Sequence, residues 1–211
     1  MAPRPKQAQP RPVPRFYLVT PPVSDPAAFT SELIPLIGAA DVAAVLLRLA
    51  DGDERALINR LKDIALPVQD RGAALIVDGR PEIVARGGAD GAHLAGIEAF
   101  NSALETLKPD RIAGVGGLRT RHDTMVAAES GADYVLFGSP DEPADVERVA
   151  WCAELFELPC VAFARSEAEV APLVEAGADF IALDYIWHEP RQAAELLAAA
   201  AGHMRLPETA S

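Results

Sequence analysis

Only two of the 211 residues are cysteine, Cys152 and Cys160, too few for a disulfide framework. They fall in a helical and a strand pattern and suit buried thiols in a reducing compartment. Basic clusters are also missing. With 19 Lys and Arg against 31 Asp and Glu, the formal charge of −12 disfavours nucleic acid and anionic membrane surfaces as partners. A small anionic ligand held by a few local groups stays open. No apolar run approaches the roughly 20 residues needed to span a bilayer, and no apolar segment follows the N-terminal basic residues, so the reading is a cytoplasmic protein with no membrane partner. A glycine-rich dinucleotide fingerprint directly after a strand is missing too, which argues against an open doubly wound sheet.

What the chain has instead is a repeat. Gly88-Ala89-Asp90, Gly131-Ala132-Asp133 and Gly177-Ala178-Asp179 are close copies, and Gly38-Ala39-Ala40-Asp41 is a looser one, at spacings of 50, 43 and 46 residues. Each follows an Ala-rich apolar segment and precedes a β-prone run, so its glycine reads as a left-handed helix stop. Each spacing accommodates two strand-plus-helix units, and four such repeats make eight.

Taken in order, the first fourteen residues hold five prolines with Arg4, Lys6 and Arg11 and little to bury, and read as a disordered extension. Residues 204–211 read as a shorter tail, leaving 15–203 as one domain. Strands are expected at Phe16–Thr20, Val42–Leu49, Ala73–Val77, Gly91–Leu94, Arg111–Val115, Tyr134–Phe137, Cys160–Phe163 and Phe180–Leu183. Helices are expected between them: from a cap at Asp25 to about Ile37, from about Glu54 to Leu66, a short one after Pro81, about Phe100 to Leu107, one capped by Thr120 and Asp123, one carrying Trp151 and Phe156, one capped by Ser166 and Glu169, and about Arg191 to Gly202. Strict β/α alternation with strands apolar on both faces implies a parallel sheet, and eight units close it into a single (β/α)8 TIM barrel.

In such a barrel the chemistry sits on the loops after the strands. Those positions include Arg48, Asp78, His93, Glu98, Gly116, Arg119, Ser139, Arg165 and Asp184.

Arg15-Phe16-Tyr17-Leu18-Val19-Thr20, Gly88-Ala89-Asp90-Gly91-Ala92-His93-Leu94 and Gly131-Ala132-Asp133-Tyr134-Val135-Leu136-Phe137-Gly138 resemble the thiamine phosphate synthase family, which also includes the thiazole tautomerases. The resemblance runs over roughly residues 15 to 203. It implies joining of a pyrimidine pyrophosphate to a thiazole phosphate with release of pyrophosphate, helped by Mg2+, and places Asp78 and Glu98 as metal ligands. Arg48, Asp78, His93, Arg119, Ser139, Arg165 and Asp184 become candidate ligand-binding residues. Departures accompany the match. Of a Gln-x-Arg-x-Lys pattern after the second strand only Arg48 remains, and an Asn-Asp pair after the third is Asp78-Gly79. The serine after the fifth strand is Gly116, and the histidine of the tautomerases aligns near Leu118. Asp141 and Glu142 occupy a shortened loop where the family has a lysine, and Ala164-Arg165 and Asp184-Tyr185 replace small phosphate-holding turns.

Arg48, Asp78 and Glu98 therefore read either as an ion-pair cluster or as a ligand site, and His93 either as a packed core histidine or as a base. Trp187 is expected to pack against the last helix. Three functions follow: a diverged family member acting on a small phosphorylated or anionic ligand, a working synthase, or an inactive binding barrel. The apolar helical faces leave room for a homodimer.

Overall fold

The computed structural model describes residues 12–204. The expected tails at 1–14 and 204–211 therefore lie outside the described residues, apart from 12–14 and 204. Eight strands, β1 (Arg15–Val19), β2 (Val42–Leu47), β3 (Ala74–Asp78), β4 (Gly91–Ala95), β5 (Ile112–Gly116), β6 (Tyr134–Phe137), β7 (Cys160–Ala164) and β8 (Phe180–Leu183), pair in parallel in chain order, and β8 closes on β1. Eight helices alternate with them: α1 (Pro26–Ala39), α2 (Glu54–Gln69), α3 (Pro81–Gly87), α4 (Ile97–Leu107), α5 (Arg121–Glu129), α6 (Val146–Leu155), α7 (Glu167–Glu175) and α8 (Ala193–Gly202). The expected (β/α)8 barrel is what the chain forms.

Local chemistry explains most boundaries. Asp25 caps α1 through the N–H groups of Ala27 and Ala28, with Pro26 as first helical residue, where its missing N–H costs nothing. Thr120 and Asp123 form the expected reciprocal capping box of α5. Ser166 does not cap α7; Glu169 instead reaches back to the Arg165 N–H and guanidinium, so the second expected box is only half present. The helix expected to end at Leu66 runs through Pro67 to Gln69, because Val68 is fully buried and the Asp70 N–H continues the ladder to the Leu66 carbonyl. α4 begins at Ile97, a turn before Phe100; α8 begins at Ala193, after two 3-10 turns, and Phe156 falls just past the end of α6.

The repeat has a structural role beyond its glycines. The Oδ2 atoms of Asp90, Asp133 and Asp179, just ahead of β4, β6 and β8, accept the N–H groups of Leu75, Ala113 and Cys160 at 2.7, 2.7 and 2.8 Å. Each carboxylate thus ties its own strand to the start of the strand before it, satisfying a backbone donor at the closed N-terminal end. The looser copy behaves differently. Gly38 lies inside α1 and ends nothing, and Asp41 takes the Arg15 Nε–H at 2.8 Å.

Period-two alternation along the strands separates two cores. Outward-facing residues such as Leu18, Val45, Leu75, Val77 and Ile181 pack under the helices with Leu33, Leu61, Ile64 and Phe100. Inward-facing Tyr17, Val19, Ala44, Leu46, Ile76, Tyr134, Leu136, Val161, Phe163 and Ala182 fill the barrel. Burying each large side chain contributes roughly 1.5–3 kcal/mol. Cys152 and Cys160 are fully buried, reduced neighbours, in keeping with a packing role. No helix among the described residues is long and apolar enough to cross a membrane.

Candidate functional site

The same alternation carries Arg48, Asp78, His93 and Asp184 to the inner side of the barrel at its C-terminal end. There a cavity of about 200 Å³ is walled by Val19, Leu46, Leu136 and Phe163, with Arg48, Asp78, His93, Gly116, Gly117, Gly138 and Ser139 around it. It adjoins a second space of about 450 Å³ whose lining includes Arg119, Glu142 and Arg148. A separate cavity of about 280 Å³ opens at the N-terminal end, but its charged groups are already engaged: Arg15 by Asp41, and Asp133 by Lys108 and the Ala113 N–H. The C-terminal mouth instead gathers Arg48, Asp78 and His93 around one cavity, with a looser 3.5 Å ion pair.

Arg48 and Asp78 form its centre. Thr20, fully buried, accepts the Arg48 N–H on its hydroxyl at 3.0 Å and donates to the Pro21 carbonyl, which fixes the chain just beyond β2. The Arg48 Nε then sits 3.5 Å from Asp78 Oδ2, both side chains partly exposed. Burial pushes the Asp78 carboxyl above its ordinary value, although the Arg48 charge pulls it down. Asp184 is pushed up in the same way, against the pull of His188 and Arg48. These are carboxylates whose burial their neighbours do not fully offset, a condition that favours an added cation.

His93 pairs with Asp78 across β3 and β4. It is buried, its Nδ1 is 3.0 Å from the Tyr134 hydroxyl, and burial, with the Arg48 charge as the smaller cause, pulls its pKa from 6.5 to about 4. Of the two expectations for this residue, the packed interior histidine is what the structure has, and it also lines the mouth.

The other candidates divide. Ser139 lines both cavities, and its hydroxyl oxygen accepts the N–H groups of Asp141 and Glu142, shaping the short loop after β6. Arg119 lines the outer space. Arg165 is committed to Glu169 at 2.7 Å, and neither it nor Asp184 lines the two mouth spaces. Glu98 lies exposed in the first turn of α4, outside the residues that line the mouth. Trp187 sets its ring against Phe29 of α1, ring centres 5.3 Å apart and planes tilted by 49°, and donates to the Val19 carbonyl, so its aromatic contact is with the first helix.

Sequence reasoning passed over three residues. Tyr17 and Tyr134 were legible only as strand residues; alternation with outward-facing Leu18 and Val135 is the signal that marks them as interior. Arg148 packs its guanidinium over Phe137 and donates to the Leu118 carbonyl, placing a cation beside Ser139 from within α6.

Fold and mouth together define a single-domain parallel (β/α)8 barrel with a charged, glycine-bordered pocket on its strand C-termini. The family model described as thiamine monophosphate synthase matches residues 16–184. The chain is 41% identical over 187 residues to a thiamine-phosphate synthase of Rhodospirillum centenum, covering 83% of this chain and 90% of that one. It is 36% identical to a thiamine-phosphate synthase of Hyphomonas neptunium, covering 90% and 94%. A thiamine phosphate pyrophosphorylase structure from Pyrococcus furiosus superposes with a TM-score of 0.75 at 19% identity over 90% of this chain and 95% of that one, a likeness of fold. The chain belongs to the thiamine monophosphate synthase family.

Proposed function

We propose that this protein is a working thiamine phosphate synthase, condensing a pyrimidine pyrophosphate with a thiazole phosphate at the C-terminal mouth. The observation that carries the reading is likeness over nearly the whole length of two relatives bearing that name, at 41% and 36% identity. The mouth chemistry supports it. Departure of pyrophosphate develops negative charge, and a cation held in place beforehand stabilises that charge at little reorganisation cost. Arg48 is such a cation, anchored through Thr20. Leu46, Leu136 and Phe163 give the mouth an apolar floor suited to a flat heterocycle.

No group of three or more metal-ligating side chains occurs among the described residues, so Mg2+ would fit here only together with substrate phosphates. Hard divalent ions bound together with phosphates need only one or two protein carboxylates. Asp78 has one 3.5 Å ionic partner and a carboxyl raised by burial, so it would hold the ion; Glu98, the second expected ligand, stands exposed on α4 outside the mouth lining. When bound, the ion would neutralise pyrophosphate charge. Arg148 and Arg119 are the chain's own candidates for gripping phosphate where the family lysine is missing.

A second reading, a family member diverged toward another anionic ligand, is favoured by Arg165, whose guanidinium is occupied by Glu169, and by Asp141 and Glu142 at the rim. The deciding experiment supplies both substrates and Mg2+ to the purified protein and reads thiamine phosphate by mass spectrometry. Product that disappears in Arg48→Ala supports the synthase. No product from folded protein at high concentration sinks it and leaves the diverged reading.

A further inference from the structure

Three interior side chains form one hydrogen-bonded chain along the barrel. The Tyr17 hydroxyl lies 2.7 Å from the Tyr134 hydroxyl, which lies 3.0 Å from His93 Nδ1. Tyr17 and Tyr134 line the N-terminal cavity and His93 the mouth, so the chain links the two ends. β5 makes room for it with two glycines. A Cβ on Gly114 would fall 2.0 Å from the Tyr134 ring, and one on Gly116 would fall 2.8 Å from His93 Nε2.

The chain can carry its protons in two directions. Toward the mouth, Tyr17 donates to Tyr134, Tyr134 donates to Nδ1, and the one proton left over, on Nε2, faces the mouth cavity. Toward the other end, Nδ1–H donates to Tyr134 and Tyr134 to Tyr17. The Tyr17 proton then has no acceptor among the described residues, in a cavity lined largely by Ala44, Ile76, Val161 and Phe180. Burial holds both phenols protonated, so neither can act as a bare acceptor. A donor left unpaired among apolar side chains costs its desolvation, whereas Nε2–H faces a mouth lined by Asp78 and Ser139, and the mouthward direction wins. Nδ1 then accepts, and a neutral imidazole that accepts at Nδ1 carries its proton on Nε2. Nε2 has no partner among the described residues and borders Gly116 at the mouth.

We propose that Tyr134 is a positioning residue that locks neutral His93 in its Nε2–H tautomer, so that the imidazole presents a hydrogen-bond donor to a phosphate-bearing ligand in the mouth. The ligand's chemistry rests on the function proposed above; the tautomer rests on the hydrogen-bond chain alone. Without a positive charge, His93 adds a directional contact beside Arg48 and leaves the charge balance of the mouth unchanged.

The test uses the intact protein labelled with 15N in its histidine rings, with the His93 signals assigned by their loss in His93→Gln. At neutral pH the wild type should show an unprotonated Nδ1 and a protonated Nε2. Tyr134→Phe should give a mixture of both tautomers. Tyr17→Phe should keep the wild-type pattern, because the Tyr134 proton still has Nδ1 as its acceptor. A protonated Nδ1 in the wild type overturns the lock, as does an unchanged single tautomer in folded Tyr134→Phe; if that variant does not fold, the wild-type spectrum alone decides. Added inorganic pyrophosphate with Mg2+ should shift the Nε2–H signal. An unmoved signal in a protein that makes thiamine phosphate overturns the ligand contact. Absent turnover instead sinks the functional reading and leaves the tautomer result standing.

Discussion

The two ends of this barrel are built on different principles. The N-terminal end is periodic: Asp90, Asp133 and Asp179 each accept one N–H near the start of the preceding strand, one solution used three times. The C-terminal end is singular. Arg48, Asp78, His93, Ser139 and Asp184 each occur once, in different partnerships, and two of the carboxyls are held where burial works against their charge. Repetition serves closure of the sheet, where every strand faces the same unsatisfied backbone. The mouth instead keeps a loose Arg48–Asp78 pair, 3.5 Å apart and partly exposed, where the proposed ligand would bind.

The contrast yields expected outcomes that differ at the two ends. The largest is at the mouth. Arg48→Ala should lower turnover about 100- to 1,000-fold, the range seen when a fixed stabiliser of transition-state charge is removed, while thermal melting hardly moves. A melting loss matching that of a core mutation would make Arg48 structural and erase the distinction.

Next comes His93, at the junction of the ends. It stays neutral in the fold down to about pH 4 and protonates near 6.5 when unfolded. The unfolded chain therefore binds the extra proton first, and stability present above pH 6.5 is lost as pH falls toward 4, by up to about 3 kcal/mol. Urea unfolding of the wild type and His93→Gln across this window measures the difference in slope; parallel profiles would contradict it.

At the N-terminal end, Asp133→Ala should leave the Ala113 N–H unpaired and cost about 1–3 kcal/mol, seen as a lower melting temperature with substrate affinity unchanged. Asp90 and Asp179 serve separate strand pairs, so the double alanine variant should lose the sum of the single losses to within about 0.5 kcal/mol. Strong coupling would show that the end acts as one network.

The smallest effect belongs to Ser139→Ala. Loss of the two loop contacts should cost about 1 kcal/mol or less in stability, while KM for the pyrophosphate substrate rises. Unchanged KM would place Ser139 with the scaffold.

Much of the scaffold was legible in the chain. Strand count, order and parallel pairing followed from β/α alternation and the repeat, because those patterns are local. Where boundaries slipped, packing had overridden a local signal: buried Val68 carries α2 past Pro67, and Glu169 satisfies Arg165 where Ser166 was expected to cap. The candidate site was legible as positions, since strand ends and inward parity can be counted. Its partnerships were not. Whether Arg165 faces a ligand or Glu169, and whether Glu98 joins Asp78, depends on side-chain directions that residue type does not encode.

The alternation of apolar segments, the capping residues and the Gly-Ala-Asp repeat specify a closed parallel barrel, because each acts within a few residues of chain. Closure alone decided which groups meet. Arg48 reaches Asp78 from the neighbouring strand, and Tyr17 reaches Tyr134 across 117 residues of sequence. Contacts across a barrel interior are set by strand register and by the space that Gly114 and Gly116 leave open, and both exist only once β8 has joined β1.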